Sequence, residues 1–353
     1  MKSRKWLFPV FLLLYHSAFA FIAWQYNLAN PSDAYRYWHF EGNWLDFFSI
    51  GTDVIKFINY PFVKVLNLPF WMGFLMYSLI GYYAILELYR FAQSYVNPQH
   101  NIFKYALMGV FLLPNLHFWT AIVGKEPLVF LAIVWIIIKQ TEKQYINFKY
   151  IVGWLLLILI RPHVALFLLL AIGITLLIKD SQLTRKKIGI AIGLAACSLG
   201  LYLMTMHLLN RNPFDLAYIL ERNNASLVAF KRANSYVPMI DYNWIERIFV
   251  LNFRPLFFDA NSFFSLVLSV ENVLTLLLMF LAIMSYIVRF KTIKLDTFAR
   301  ISLLFFVVSS LFFIQRYSCL GIFVRTKMMY TPFVLILAIK ILNGLYREKG
   351  HGK

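Results

Sequence analysis

Three arginines lie at the ends of apolar segments in this sequence. They are Arg161 in LILIRPHVAL, Arg254 in LNFRPLFFDA and Arg325 in GIFVRTKMMY. A guanidinium group keeps its charge even at the edge of a membrane, and its fork of donors matches the oxygens of a phosphate. Two explanations stay open: each arginine reaches towards lipid headgroups, or the fold brings all three into one pocket for phosphate or pyrophosphate. His163 and Lys327, close neighbours of two of these arginines, are predicted to line the same pocket.

A second set of polar residues interrupts a long apolar stretch. The segment LPNLHFWTAIVGKEPLVF contains His117, Lys125 and Glu126. Pro127 suits the first turn of a helix, whose N-terminal amides attract anions. Lys125 is predicted to bind phosphate beside Glu126 or His117, either of which could transfer a proton. The alternative is a simple ion pair between Lys125 and Glu126 at the membrane interface.

One carboxylate lies inside an apolar segment. Glu271 in FFSLVLSVENVLTLLL is about two turns from the start of a predicted helix. A charge at this depth is unfavourable unless it is paired. Glu271 is therefore predicted to form a salt bridge with an arginine such as Arg254 and to orient that arginine towards the substrate.

Aromatic and charged residues alternate after the first apolar segment, in NPSDAYRYWHFEGNW. Such aromatic residues are typical of a membrane interface. Aromatic rings beside polar groups also suit a sugar, which presents an apolar face and a rim of hydroxyls. Asp33 is thus a candidate base or ligand of a sugar hydroxyl, and Tyr35 and Arg36 are candidate substrate-binding residues.

The composition indicates which elements must position these residues. Hydrophobic residues make up 61% of the 353 residues and charged residues only 14%, far outside the range of soluble domains. A helix needs about 20 residues to cross a membrane, and the apolar runs lack the alternation of a β-barrel. We expect an all-α polytopic integral membrane protein with about ten transmembrane helices, broken helical hairpins and helical outer loops. The predicted spans are residues 6–24, 69–90, 104–116, 124–140, 150–161, 163–178, 188–207, 264–288, 299–315 and 328–345.

Charge and loop length predict the topology. Most of the 34 basic residues lie at the termini and in short loops, opposite two longer polar segments, residues 25–68 and 208–263. The positive-inside rule places both termini in the cytoplasm and these two loops outside. The net charge of +18 follows from this topology, so no nucleic-acid partner is expected. The charges of residues 208–250 are expected to form the solvated face of amphipathic helices.

Domain organisation and cofactors follow from what the sequence contains. No repeat of fixed period separates one part from another, so a single transmembrane domain, residues 1–353, is expected. The first apolar segment is expected to remain as an uncleaved helix because it continues past the small residues that suit a signal-peptide cleavage site. The chain has no paired-histidine or CxxC spacing, and neither a metal nor a cofactor is expected.

Taken in order along the chain, five motifs carry a family resemblance. They are SDAYRYW, PNLHFWTAIVGKEPL, LIRPHVAL, FRPLFFDANSFFSLVLSVEN and GIFVRTKMMYTP. In these motifs the chain resembles bacterial polysaccharide polymerases of the Wzy and EpsG type, which make O-antigen or exopolysaccharide. These belong to the wider set of GT-C-type membrane glycosyltransferases.

The resemblance implies a multi-pass protein of the bacterial cytoplasmic (inner) membrane that acts on an oligosaccharide linked through pyrophosphate to undecaprenol. In this family the growing glycan passes from one lipid carrier to the sugar of the next. The resemblance implies that Arg161, Arg254 and Arg325 hold the pyrophosphate. In the related enzymes the carboxylate of the first outer loop is the usual base, which favours Asp33. Membrane lipids, a chain-length regulator and other assembly proteins are the implied partners.

Two other functions remain open from the sequence. One is a GT-C transferase that adds a single sugar from a polyprenyl-phosphate donor. The other is a lipid-carrier transporter or flippase, which also contains broken helices and charges within the membrane. A transporter is expected to show related halves, and no duplicated half is visible in the sequence.

Overall fold

The computed structural model describes residues 6–178, 184–290 and 293–351. Within these ranges the chain forms α-helices joined by short connections, with no β-strand, which confirms the predicted all-α class. The helices, in chain order, are α1 (Leu7–Ala29), α2 (Asp33–Trp38), α3 (Val54–Tyr60), α4 (Phe70–Val96), α5 (Asn101–Val110), α6 (Pro114–Thr120), α7 (Lys125–Thr141), α8 (Phe148–Ile160), α9 (Pro162–Ile178), α10 (Arg185–Leu208), α11 (Leu216–Ala229), α12 (Trp244–Phe253), α13 (Phe263–Val288), α14 (Thr297–Phe313), α15 (Leu320–Lys327) and α16 (Thr331–His351).

Several of these helices are apolar and long enough to cross a membrane. In the part of the chain that the structure describes there are four such helices, α1, α4, α10 and α13. There are five if α15 and the following Thr331–Gly344, which meet at 59°, form one bent span. The remaining apolar helices are shorter than the roughly 20 residues that a span requires. The predicted number of about ten spans is therefore not confirmed, although each predicted span coincides at least in part with a helix.

Contacts divide the chain into two compact units. The first consists of residues 1–97 and 104–162, and the second of residues 98–103 and 163–353. In the first unit α7 packs against α4 and α8. Most α7 side chains are buried. The backbones of α4 and α6 also approach closely, because a Cβ atom at Gly81 would lie 2.0 Å from the carbonyl oxygen of Thr120.

In the second unit α16 packs against α13 and α14, and α12 packs against α13, α14 and α15. Phe167 on α9 stacks against Phe312 on α14, with ring centroids 4.7 Å apart. Phe305 and Phe333 are fully buried in the core of this unit. These contacts bring the ends of α12 and α15 together, which matters for the polar residues described below.

The two longer polar segments of the sequence are largely helical. Residues 25–68 include α2, α3 and the π-helical turn Pro61–Val65. Residues 208–263 include α11 and α12, each started by a side-chain cap: Asp215 accepts from the amide of Tyr218, and Asn243 from the amide of Glu246. Such caps satisfy the amides that a helix leaves unpaired at its start.

Candidate functional site

The first unit contains an ion pair between the two polar segments that the sequence singled out. The Nζ atom of Lys125, at the start of α7, lies 3.3 Å from Oδ2 of Asp33, at the start of α2. Lys125 also donates to the hydroxyl of Tyr37 at 3.2 Å. The Asp33 side chain is 26% exposed and that of Lys125 is 12% exposed. A partly accessible carboxylate is therefore held beside a fixed positive charge.

Buried hydrogen bonds hold α2 in this position. Asn59 on α3 donates to the carbonyl oxygen of Tyr37 at 2.8 Å, and the hydroxyl of Tyr77 on α4 donates to Asn59 at 2.8 Å. The Tyr37 ring packs against Gly124, where a Cβ atom would lie 3.3 Å from it. Gly124 has a φ of +149°, a conformation that side chains other than glycine rarely adopt. This glycine thus lets α2 approach the start of α7.

A second ion pair lies next to the first along the chain. The Nη2 atom of Arg161, at the end of α8, donates to Oε1 of Glu126 at 2.9 Å. The side chains of Arg161 and Glu126 are only 11% and 3% exposed. The structure contains the ion pairs Lys125–Asp33 and Arg161–Glu126; the alternative left open from the sequence was a pair between Lys125 and Glu126. We call Asp33, Arg36, Lys125, Glu126 and Arg161 together the charge cluster.

Arg36 and Tyr35 form the exposed side of this cluster. The Arg36 side chain is 72% exposed and forms an ion pair with Asp33, and its hydrogen bond to Asp33 raises the pKa of Arg36. Tyr35 is 41% exposed and stacks on His39 with ring centroids 3.9 Å apart. An exposed aromatic ring beside a carboxylate has the chemistry that a sugar ring requires. His39 did not stand out in the sequence as a partner of Tyr35.

His117, a predicted base, is buried and pairs with another histidine. Its Nδ1 atom lies 2.8 Å from Nδ1 of His16 on α1, and its Nε2 atom lies 2.7 Å from the carbonyl oxygen of Phe111. A carbonyl only accepts, so His117 carries its hydrogen on Nε2, and its Nδ1 accepts from His16. Both histidines are 0% exposed. This geometry does not support proton transfer between His117 and a substrate; the residue joins α6 to α1.

In the second unit, Arg254 pairs with a different carboxylate from the one predicted. Its Nε atom donates to Oδ2 of Asp259 at 2.9 Å, and its Nη2 atom pairs with Oδ1. The side chains of Arg254 and Asp259 are 16% and 6% exposed. The predicted partner, Glu271, is buried on α13.

Local hydrogen bonds favour the charged forms of both Arg254 and Asp259. Burial alone would raise the pKa of Asp259, but hydrogen bonds from Arg254 and from the amide of Leu256 lower it below its usual value. The hydrogen bond to Asp259 also raises the pKa of Arg254. Asp259 lies only five residues after Arg254, in the connection between α12 and α13. The fork of Arg254 is thus already occupied by a carboxylate.

Lys327, a predicted substrate-binding residue, donates hydrogen bonds within the protein. Its Nζ atom donates to the carbonyl oxygens of Asn252 and Arg254, each at 3.2 Å, and to Oδ1 of Asn272 at 2.5 Å. An ammonium group has three donors, so all of them are used inside the protein. The side chain is also buried. Lys327 therefore fixes the turn that carries Arg254.

Further hydrogen bonds connect this turn to its neighbours. Asn272 donates to the carbonyl oxygen of Pro255 at 2.7 Å. The side chain of Asn252 donates to Ser310 at 3.0 Å and accepts from the hydroxyl of Tyr330 at 3.0 Å. Helices α12, α13 and α14 and the start of α16 thus meet at one buried polar network. The asparagines and Asp259 were not identified from the sequence, because nothing in their spacing distinguishes them from ordinary loop or helix residues. Tyr37 belongs to the aromatic cluster after the first apolar segment, but its contact with Lys125 was not predicted.

The three arginines of the predicted phosphate pocket do not all belong to the same unit. Arg161 belongs to the first unit, whereas Arg254 and Arg325 belong to the second. His163, also in the second unit, packs its ring edge-on against Phe167 and Phe313. Arg325 is half-buried in the last turn of α15. The convergence of the three arginines in one pocket stays a prediction.

Neither metal ligands nor relatives assign a function to these groups. Within the described ranges no group of three or more histidine, cysteine, aspartate or glutamate residues could hold a metal ion. The chain matches no known protein-family model, no curated protein and no solved structure. Any function must therefore be argued from the chemistry of the residues.

Proposed function

We propose that the protein is a membrane glycosyltransferase that polymerises undecaprenyl-pyrophosphate-linked oligosaccharide repeat units. The observation that carries the proposal is the position of Asp33, whose carboxylate is partly exposed and 3.3 Å from the ammonium group of Lys125. A base and a fixed positive charge are the two groups that transfer of a sugar from a phosphate leaving group requires. The exposed Tyr35–His39 stack supplies a surface for a sugar ring beside them.

The proposed reaction assigns a role to each of these groups. Asp33 removes the proton from a hydroxyl of the acceptor sugar as that oxygen bonds to the anomeric carbon of the growing glycan. The bond from this carbon to the pyrophosphate oxygen breaks, and the lipid pyrophosphate leaves with the electron pair. Lys125 stabilises the negative charge that develops on the leaving group, an effect of several kcal/mol in comparable sites.

Exposure favours Asp33 as the base among the three predicted candidates. The Asp33 side chain is 26% exposed, whereas Glu126 is 3% exposed and paired with Arg161. His117 is completely buried. Glu126 and Arg161 then serve to orient the start of α7, and with it Lys125, for the reaction.

The proposal includes a membrane topology. About ten spans, several of them paired as broken hairpins, place both termini in the cytoplasm of a bacterium and residues 25–68 and 208–263 outside the inner membrane. The basic residues of the short loops support this orientation. The substrates are lipid-linked oligosaccharides in the outer leaflet, and a chain-length regulator or other assembly proteins are proposed partners.

The proposal predicts that Asp33→Asn abolishes long glycan chains. The substitution keeps the shape of the side chain but removes the base, so we expect the rate of polymerisation to fall by a factor of about 100 or more. The measurement is the length distribution of the lipid-linked glycan from cells that produce the variant as their only copy. Protein abundance in the membrane and thermal stability after purification are measured in parallel.

Asp53→Asn is the matched control, because Asp53 lies on the same polar segment in an exposed ion pair with Lys56. We expect this control to make chains of normal length. Normal chains in a stable Asp33→Asn variant, or equal loss in both variants, would show that Asp33 is not the base. Addition of only one sugar by the wild-type protein would support the single-sugar transferase instead.

A further inference from the structure

A cavity in the second unit contains three arginines that the proposed function does not use. Its volume is about 460 Å³, within the range of small-molecule sites. Arg211 enters it from the segment after α10, Arg222 from α11 and Arg316 from the segment after α14. Arg211 and Arg316 lie far apart in the sequence and are brought together by the fold.

A single serine fixes the positions of two of these guanidinium groups. Arg211 donates to Ser226 Oγ at 3.4 Å and to Asn223 Oδ1 at 2.9 Å. Arg316 donates to the same Oγ atom at 3.3 Å. The serine hydroxyl itself donates to the carbonyl oxygen of Arg222 at 2.7 Å. The arginines are thus held by neutral acceptors, and most of their donors remain for a ligand.

Tyr218 positions the third arginine. The Nε atom of Arg222 donates to the Tyr218 hydroxyl at 3.0 Å, and the guanidinium lies over the Tyr218 ring at 5.1 Å from its centroid. These contacts use one face and one donor of the guanidinium. Its two terminal nitrogens can therefore still form the paired hydrogen bonds that arginine makes with phosphate oxygens.

The charge of the cavity is not balanced by protein carboxylates. Within the described ranges no acidic residue lines it, and none of the three arginines forms an ion pair. Burial, followed by repulsion from Arg316 and Arg222, lowers the pKa of Arg211. In contrast, Arg161 and Arg254 each have a carboxylate partner. Like charges this close favour an anion between them.

We propose that this cavity binds the phosphate group of an anionic ligand, either a lipid headgroup or a soluble phosphate compound. A phosphate at this position accepts hydrogen bonds from the guanidinium groups of Arg211, Arg222 and Arg316 and offsets their charges. Because α10 is apolar enough to cross a membrane and ends at Leu208, the cavity lies just beyond a helix end, where lipid phosphates are found.

This proposal is independent of the glycosyltransferase proposal, since it rests on residues of the second unit alone. The charges of residues 208–250 were expected to be a solvated face. Arg222 is indeed exposed, but Arg211 and Arg316 are half-buried, and a solvated face does not need two guanidinium groups on one serine hydroxyl.

Binding of inorganic pyrophosphate to the purified full-length protein in detergent tests the soluble source. Equilibrium dialysis with labelled pyrophosphate is expected to show saturable binding. Each of Arg222→Gln and Arg316→Gln should weaken the affinity about tenfold, as expected for loss of one charged hydrogen-bond donor. Arg316→Lys should fall between wild type and Arg316→Gln, because it keeps the charge but loses the fork.

The lipid source is tested with the same variants in phosphatidylcholine nanodiscs that contain a small fraction of phosphatidic acid. Native mass spectrometry counts the phosphatidic acid retained after release from the disc. If a lipid headgroup is the ligand, wild type retains this lipid and Arg316→Gln loses it, even where pyrophosphate binds weakly. Binding of pyrophosphate without retention of the lipid instead identifies a soluble ligand.

Arg232→Gln is the matched control, because Arg232 is exposed in the segment that follows α11 and does not line the cavity. It removes one positive charge from the same polar segment as Arg222 and should leave both measurements unchanged. Equal weakening of binding by Arg232→Gln would show that the effect comes from the overall charge of the protein, and would overturn the proposal. So would failure of both probes to bind wild type more strongly than a folded variant with all three cavity arginines replaced by glutamine.

Discussion

The three candidate bases differ most in what surrounds each side chain. Asp33 is partly exposed between Arg36 and Lys125. Glu126 is almost completely buried against Arg161, and His117 is buried against His16. A base must come within hydrogen-bond reach of the proton that it removes. Of the three, only Asp33 meets this condition without a rearrangement of buried pairs.

Removal of the Asp259 carboxylate should destabilise the second unit in a pH-dependent way. Asp259→Asn leaves Arg254 without its charged partner, and we expect the free energy of unfolding to fall by about 2 kcal/mol at neutral pH. The pKa of Asp259 is lower in the folded protein than its usual value of 3.8. Its stabilisation is therefore complete above pH 3.8 and disappears as the pH falls through the folded pKa. The melting temperatures of wild type and variant, measured in detergent, should converge below pH 3.8.

Glu221→Gln provides the control for this measurement, since Glu221 is exposed on α11. Its melting temperature should follow that of wild type over the whole pH range. A difference between wild type and Asp259→Asn that stays constant down to pH 3, or the absence of any difference at neutral pH, would contradict the role assigned to the pair.

The sequence identified the types of residue in the site better than their partners. Asp33 and Lys125 were each predicted, but their contact depends on the docking of Tyr37 against Gly124, which no local pattern reveals. Arg254 was assigned to Glu271 because a carboxylate within an apolar helix needs a cation. Its ion-pair partner, Asp259, is instead supplied by a local turn.

At the scale of elements, the sequence predicted where helices occur, whereas the predicted number of about ten membrane spans is not confirmed. The predicted segment 264–288 corresponds to α13, Phe263–Val288, because Ser262 caps its start and an apolar run follows. By contrast, α5 has only 10 residues, about half of what a membrane span requires. Hydropathy alone does not separate a short span from a buried helix or from one half of a broken span.

The contact between α4 and α6 predicts a large effect of a small substitution. In Gly81→Ala the added Cβ atom would lie 2.0 Å from the backbone oxygen of Thr120, so α4 must move away from α6. We expect the free energy of unfolding to fall by about 1–3 kcal/mol, as for other overpacked sites. The melting temperature of the purified protein measures this change.

Gly109→Ala is the control because an added Cβ atom at Gly109, on α5, meets nothing within 4 Å. Alanine favours a helix over glycine by about 1 kcal/mol, so this variant should melt at the same temperature as wild type or slightly higher. An unchanged melting temperature in Gly81→Ala would mean that the two helices do not pack as closely as described.

At the scale of the whole molecule, the distribution of charged residues bears on both the membrane topology and the proposed anion site. The excess of 34 basic over 16 acidic residues predicted a topology, yet it concealed a local concentration of positive charge. Arg316 lies far from Arg211 and Arg222 in the sequence, and all three resemble ordinary loop charges. Only the fold brings them to one cavity without a carboxylate. The sequence alone therefore indicates a membrane protein, whereas the proposed anion site can be recognised only from the structure.

The central claim is polymerisation of lipid-linked units on the outer face of the membrane. The most direct test locates the single lipid-linked units that accumulate when Asp33→Asn replaces the wild-type protein. A membrane-impermeant oxidant applied to intact spheroplasts oxidises only the sugars of the outer leaflet, and the oxidised sugars are then labelled. We predict that long chains are lost and that the accumulated single units are labelled. Units protected in the inner leaflet would contradict the claim and identify a flippase instead.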